Sequence, residues 1–256
     1  MKDPVIIIGM GEMGGVFSRS LLKLGHPVFP ITRHMQADAV AQHVREPQLV
    51  LVTVGENDLH TVLGELPAAW RDRIGLVQNE LLPHDWQAHS LTRPTVVSVW
   101  FEKKQGQDVK VLVPSPVHGP HARLLVDALG TLGIPAWEVA DAQEMQFELV
   151  RKNVYILTTN IAGLVVGGTV DRLWTEHRDL ALEVANEVMD IQFALIGTAL
   201  DREALIAGMV AGIEGDPAHP CTGRSAPARL ARAIGHADKA KLAVIKLRDI
   251  AARLKT

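Results

Sequence analysis

Three spaced glycines follow an apolar run near the beginning of the printed sequence. Residues Val5–Ile8 are all β-branched, which is typical of a strand buried on both faces, and Gly9, Gly11 and Gly14 come directly after them. In such a strand–turn–helix unit the first glycine allows a tight turn, the second lets the backbone approach a pyrophosphate, and the third lets helix and strand pack closely. The helix N-terminus then faces the phosphate charge. The predicted dinucleotide-binding residues are Gly9, Met10, Gly11, Glu12, Met13 and Gly14.

The residues after the second predicted strand indicate which dinucleotide binds. An acidic residue commonly takes the ribose hydroxyls of NAD at this position, whereas this chain has Thr32 and Arg33 there. A hydroxyl and a planar guanidinium suit a 2′-phosphate. The predicted cofactor is therefore NADPH, the alternative being that Arg33 is an ordinary solvated arginine at a strand end.

Two residues of a long predicted helix could carry the chemistry of a reduction. Lys152 and Asn160 are eight positions apart in the segment 142–166, so they lie within about a quarter turn of each other on one helix face. A lysine there could hydrogen-bond a ketone oxygen and supply a proton, especially if burial lowers its pKa. Asn160 could hold the lysine or the substrate. A solvated Lys152 beside Arg151 is the alternative.

Other polar residues are weaker candidates. Asn79 follows the fourth predicted strand, at the edge where open α/β sheets bind ligands, and could contact substrate or the nicotinamide ribose, or simply form a turn. Arg224, in the loop 214–225, could bind a carboxylate in bidentate fashion or remain in water. The histidines and Cys221 show no familiar zinc-ligand spacing, so no metal is predicted.

Alternating strand and helix patterns through the first 140 residues predict an α/β fold with a Rossmann-type, doubly wound parallel sheet. Residues 1–140 are the predicted NADP-binding domain. Residues 141–256 have helical periodicity and are the predicted all-α substrate and dimerisation domain. Strands are predicted at 48–54, 74–77, 95–101 and 109–113, with a hairpin at a sheet edge between the last two and prolines ending the pattern at 114–120. Helices are predicted at 56–70, 142–166, 173–200, 202–213, from 227, and from 239 to the end.

Composition narrows the class of protein. The 256 residues are 47% hydrophobic with a net charge of −3, so the chain can bury one large core or two modest ones and offers no basic surface for nucleic acid or an anionic membrane. Cys221 is the only cysteine, which excludes an internal disulfide and favours the cytoplasm. No signal peptide or membrane span is predicted. The expected partners are a small-molecule substrate and, through the apolar later helices, a second copy in a homodimer.

Taken in order along the chain, these residues resemble the ketopantoate reductase family. The resemblance rests on the glycine motif, Arg33, Gln78-Asn79, and Lys152 with Asn160 ahead of an all-helical second half. It implies an NADPH-dependent enzyme that reduces the keto group of a 2-oxo acid. It also implies that Lys152 is the general acid, that Asn160 binds substrate, and that Asn79 lies near the nicotinamide. Ser225 matches a family serine close to the C-terminus.

Three positions depart from the family pattern and leave alternatives open. Ile156 replaces an asparagine, Glu80 replaces the glycine that usually follows Asn79, and no carboxylate follows Ser225 within residues 228–232. One alternative is another two-domain dehydrogenase, such as a hydroxyacid, opine or imine reductase. Another is a protein that binds NADPH without catalysis and acts as a sensor or partner subunit.

Overall fold

The computed structural model describes residues 2–254. These form two units, one that ends at Glu148 and one that begins at Leu149. The strands of the first unit are β1 (Val5–Ile8), β2 (Val28–Ile31), β3 (Leu49–Val52), β4 (Ile74–Leu76), β5 (Thr95–Val97), β6 (Phe101–Glu102), β7 (Lys110–Val111), β8 (Ser115–His118) and β9 (Ala136–Glu138). Its helices are α1 (Glu12–Lys23), α2 (Ala37–His43), α3 (Leu59–Gly64), α4 (Pro83–Gln87) and α5 (Ala122–Gly130).

Seven of these strands form one sheet in the order β2-β1-β3-β4-β5-β8-β9. Every pairing is parallel except that of β5 with β8, so the predicted Rossmann-type sheet is confirmed with one antiparallel step. All four residues of β1 and of β3 are buried, as continuous apolar runs in a sheet covered on both faces require. Because β2 and β3 lie on opposite sides of β1, the strand order reverses there. Such a switch point is where open α/β sheets bind ligands.

The strands after β5 differ from the prediction. The segment 95–101 does not continue as one strand, and β6 pairs with β7 in a separate two-stranded sheet instead of forming the edge of the main one. The prolines at 114–120 do not end the pattern either, because β8 contains Pro116 and lies between β5 and β9. The sheet uses the carbonyl of Pro116, which accepts a hydrogen bond of 3.0 Å from the Ser98 N–H, and so does not need the N–H that proline lacks.

Two predicted helices are interrupted. The segment 56–70 contains only α3 and a single 3₁₀ turn, Ala68–Trp70, because Pro67 between them cannot donate an intrahelical hydrogen bond. The segment 173–200 is two helices that separate at His177, whose φ of −131° is not helical. The short helix α4 has no counterpart in the prediction.

The second half of the chain is helical, as predicted. It contains α6 (Ala142–Val166), α7 (Val170–Glu176), α8 (Arg178–Ile196), α9 (Arg202–Gly215), α10 (Ala226–Ala240) and α11 (Ile245–Arg253). The boundary between the two units falls within α6. Helix α8 is the centre of the second unit, since α7, α10 and α11 all pack on it. The last helix was predicted to reach the end of the chain, but residues 255–256 lie outside the described part. Among the described helices, none combines the length and hydropathy needed to cross a membrane.

Candidate functional site

The turn after β1 leaves no room for a side chain at two of its three glycines. Gly9 has φ +97°, and a Cβ added to it would lie 2.9 Å from Val54 Cγ1. A Cβ on Gly14 would overlap the Gly9 carbonyl oxygen, so this glycine allows α1 to start close against β1. A Cβ on Gly11 would have no heavy atom within 4 Å among the described residues counted as neighbours. Two of the three glycines are therefore required by packing, and the third faces open space.

Thr53 fixes this turn, although the sequence reasoning did not identify it. Its hydroxyl lies 2.5 Å from the Gly9 carbonyl oxygen and 3.1 Å from that of Ile8, so its one proton is shared between them. Its backbone N–H also donates to the Ile8 carbonyl at 2.8 Å. Thr53 follows β3, the parallel neighbour of β1. A threonine directly after a buried strand was the available signal, but which carbonyls it meets depends on the strand order.

Thr32 and Arg33 lie beside the glycine turn. Strands β1 and β2 are parallel with Ile8 opposite Ile31, and the Gly9 N–H donates to the Ile31 carbonyl at 2.9 Å. The two residues that follow Ile31 therefore stand at the same sheet edge as the glycines. Both side chains are exposed, which leaves the Arg33 guanidinium accessible to an anionic ligand.

The segment after β4 contains one structural residue and one candidate. Gln78 is buried, and its amide donates to the carbonyls of Val52 at 2.8 Å and Val54 at 3.2 Å, so it ties the ends of β3 and β4 together. Asn79 follows at the carboxyl edge and is half-buried. Glu80 has φ +61°, in the left-handed region that favours glycine. The backbone thus adopts here the conformation expected of the glycine that Glu80 replaces.

Lys152 lies on a polar stretch of α6 that is buried. Only 4% of the lysine is exposed, and Asn153, Thr158 and Thr159 of the same helix are buried as well. The Asn153 amide donates to the Gln192 side-chain oxygen of α8 at 2.9 Å. The alternative of a solvated Lys152 is therefore wrong.

Asn160 is held by the second unit's own side chains. Its side-chain oxygen accepts a hydrogen bond of 2.7 Å from the Arg229 guanidinium, and its amide donates to the Cys221 carbonyl at 3.2 Å. Arg229 belongs to the segment 228–232, which lacks the carboxylate that the ketopantoate reductase family has there. The structure instead places a guanidinium on Asn160.

The loop before α10 is docked on α6. A Cβ on Gly163 would lie 2.5 Å from Cys221 Cβ, so the glycine makes room for this loop. Desolvation raises the pKa of the Cys221 thiol to about 11, which makes it a poor nucleophile at neutral pH. Arg224 and Ser225 follow in the same loop and are exposed, with Ser225 immediately before α10.

The structure gathers the predicted residues in two groups. The glycine turn, Thr32, Arg33 and Asn79 follow β1, β2 and β4 along one edge of the sheet in the first unit. Lys152 and Asn160 lie on α6 in the second unit, where Asn160 meets the loop that leads to Arg224. An open groove of about 600 Å³ on α7, α8 and α9, lined by residues that include Trp174 and Ile206, lies elsewhere.

Neither a protein-family model nor a curated protein sequence matches the chain. Solved structures do. A ketopantoate reductase from Ralstonia eutropha JMP134 superposes with a TM-score of 0.71 at 15% identity, over 98% of this chain and 97% of that one. The chain has the ketopantoate reductase fold. A dimeric ketopantoate reductase from Staphylococcus aureus gives a TM-score of 0.69 at 17% identity, over 98% and 97% of the two chains. D-mandelate dehydrogenase in complex with NADH gives 0.68 at 15% identity, over 96% of each.

These superpositions cover both units of the chain. They confirm the fold that the sequence resemblance implied, although fewer than one residue in five is shared with any of the three proteins. By name, two of the three proteins are ketopantoate reductases and the third is a D-mandelate dehydrogenase, whose structure contains NADH.

Proposed function

We propose that this protein is an NADPH-dependent oxidoreductase of the ketopantoate reductase type, which reduces the ketone of a 2-oxo acid. The observation that carries the proposal is the glycine turn. Packing leaves no room for a side chain at Gly9 or Gly14. The turn lies at the point where the strand order of the sheet reverses. One protein with the same fold, D-mandelate dehydrogenase, was solved with NADH. A fold alone does not fix a function, but glycines that leave no room for a side chain, placed after the first strand, support pyrophosphate recognition.

The dinucleotide would be held by residues of the first unit. The backbone of residues 9–14 and the N-terminus of α1 suit the pyrophosphate, and Thr32 and Arg33 suit a 2′-phosphate on the adenosine ribose. Asn79 would lie toward the nicotinamide end. When bound, the nicotinamide supplies the hydride. The choice of NADPH over NADH is based on the Arg33 guanidinium alone. The fold does not decide between them, because the mandelate dehydrogenase complex contains NADH.

Lys152 is the proposed general acid. Its side chain would donate a hydrogen bond to the ketone oxygen and transfer a proton to it as the carbonyl is reduced. Burial supports this role, because an ammonium in a low-dielectric setting stabilises developing negative charge more strongly than one in water. Asn160, held by its hydrogen bonds to Arg229 and Cys221, would contact the substrate. Arg224 and Ser225 would bind the substrate carboxylate.

Two alternative functions and a homodimeric state are considered beside this proposal. D-mandelate dehydrogenase has the same fold, so another two-domain dehydrogenase, acting on a different hydroxy acid, is the first alternative. The second alternative is a protein that binds NADPH without catalysis. Its support is that Ile156 replaces an asparagine of the family pattern. We also propose a homodimer, by analogy with the dimeric Staphylococcus aureus enzyme and because the helices of the second unit are apolar.

The test is steady-state reduction of a panel of 2-oxo acids with NADPH, by wild type and by Lys152→Met. We expect turnover of at least one acid, and a loss of at least about 100-fold in kcat in the variant with NADPH affinity unchanged, as removal of a general acid requires. Equal turnover in the variant would refute the role of Lys152. NADPH binding without reduction of any acid would support the noncatalytic alternative.

A further inference from the structure

The hairpin formed by β6 and β7 is anchored on α1. The ring of Phe101, at the start of β6, packs against the ring of Phe17 in α1 with centroids 6.2 Å apart and planes inclined by 51°. Both side chains are buried. The anchor places the loop of the hairpin, residues 103–109, beside the N-terminal half of α1.

Lys103 is the first residue of that loop, and its ammonium group is held in place. Its Nζ donates to the Lys104 carbonyl at 2.9 Å and to the Gln107 carbonyl. It also lies 3.7 Å from Oε2 of Glu12, the first residue of α1. An ammonium has three donors, so the two carbonyls of its own loop fix the group and leave one donor for a further acceptor. Only 24% of the Lys103 side chain is exposed, which is low for a lysine in a loop.

Glu12 carries a negative charge at the place where the proposed function puts a pyrophosphate. The first turn of a helix presents free N–H groups and a positive dipole end, which attract an anion. A carboxylate in that turn interacts favourably with the positive end of the helix dipole when no ligand is bound. It also repels the phosphates of a dinucleotide. A cation nearby is needed if both are to be accommodated, and Lys103 is the cation that the structure holds against Glu12.

We propose that Lys103 is a phosphate-binding residue of the dinucleotide site, and that before the ligand arrives its ammonium group neutralises the Glu12 carboxylate. When the pyrophosphate binds, Lys103 exchanges the Glu12 carboxylate for a phosphate oxygen and keeps its two carbonyl partners. The inference rests on the proposed function, because it concerns the same site. It assigns to the hairpin a role in cofactor binding that the glycine motif does not include.

The experiment is a fluorescence titration with NADPH of wild type, Lys103→Met, Lys103→Arg, Lys104→Met and Glu12→Gln. Lys104 is the matched control, since it lies in the same hairpin and its Nζ pairs with Glu102 at 3.1 Å. We expect Lys103→Met to raise Kd about tenfold, the equivalent of one charged hydrogen bond. Lys103→Arg should keep Kd within about threefold and Lys104→Met should leave it unchanged. Glu12→Gln should lower Kd, because it removes the repulsion while leaving the carbonyl partners of Lys103 in place.

The outcomes separate this proposal from the function on which it rests. If wild type binds NADPH and Lys103→Met binds it as tightly as Lys104→Met does, Lys103 has no phosphate role and the proposed function stands. A raised or unchanged Kd in Glu12→Gln would overturn the proposal even if Lys103→Met disturbed the hairpin. Failure of wild type to bind either NADPH or NADH would refute the proposed function and this inference together.

Discussion

The Arg229 guanidinium donates a hydrogen bond of 2.7 Å to the side-chain oxygen of Asn160, joining α10 to α6. Asn160 is 9% exposed, so the bond is made largely away from water. A charged donor on a buried amide contributes more than a neutral pair does, and removal of Arg229 takes this donor away from the Asn160 side-chain oxygen. The pair is therefore expected to stabilise the second unit in addition to any role in substrate binding.

A double-mutant cycle on this pair tests its energy. We expect Asn160→Ala and Arg229→Met each to lower the free energy of unfolding, with a coupling energy of about 1–2 kcal/mol between them. Urea unfolding of the four proteins measures it. Arg224→Met, which alters an exposed arginine of the preceding loop, is the control and should change stability by less than about 0.5 kcal/mol. A coupling energy near zero would mean that the hydrogen bond contributes nothing.

Two neighbouring glycines of α1 should respond in opposite ways to the same substitution. Gly14→Ala places a methyl group on the Gly9 carbonyl oxygen, so we expect a loss of stability of at least about 2 kcal/mol together with loss of dinucleotide binding. Gly15→Ala meets open space and should be neutral or stabilise the helix by up to about 1 kcal/mol. Thermal unfolding and an NADPH titration of both variants provide the comparison. Equal behaviour of the two would contradict the close approach of α1 to β1.

The left-handed backbone at Glu80 predicts a reversed preference between alanine and glycine. With φ +61°, a residue that has a Cβ is strained by about 1 kcal/mol, while glycine is not. We therefore expect Glu80→Gly to be more stable than Glu80→Ala by about that amount, although glycine gives a more flexible unfolded chain. Comparing the two variants cancels the loss of the glutamate side chain. A more stable alanine variant would show that the turn can relax out of this conformation.

Cys221 provides a prediction that depends on pH. Its pKa is raised from 9.0 to about 11 by desolvation, so the folded protein keeps the proton while the unfolded chain loses it. Any stability linked to this proton is complete below about pH 9 and is lost as the pH rises toward 11. At pH 8 alkylation by iodoacetamide should be about 100-fold slower in the folded protein than in urea. Equal rates would place the thiol in solvent.

The sequence predicted correctly those parts of the fold that depend on the spacing of residues close together in the chain. The glycine turn and the bounds of α6, Ala142–Val166, depend on residues close together in the chain, and both are found where they were expected. The break of the helix at Pro67 could have been predicted, since proline lacks the N–H that a helix interior uses. The helical spacing of apolar residues on both sides of Pro67 nevertheless predicted one continuous helix.

The features that the sequence did not predict depend on residues far apart. Thr53 bonds the Gly9 carbonyl across 44 positions, and Arg229 reaches Asn160 across 69. Such partners follow from strand order and helix packing, which no short window of sequence contains. Strand β8 was missed for the same reason, because the carbonyl of Pro116 is useful only once the chain returns antiparallel to β5.

The most direct test of the central claim is a fluorescence titration of the purified protein with NADPH and with NADH, alongside Arg33→Asp. We expect wild type to bind NADPH more tightly than NADH, and the variant to lose most of this preference because a carboxylate repels the 2′-phosphate and favours ribose hydroxyls. Preference for NADPH that survives in Arg33→Asp would remove Arg33 from the site. Absence of binding to either dinucleotide would contradict the proposed function as a whole.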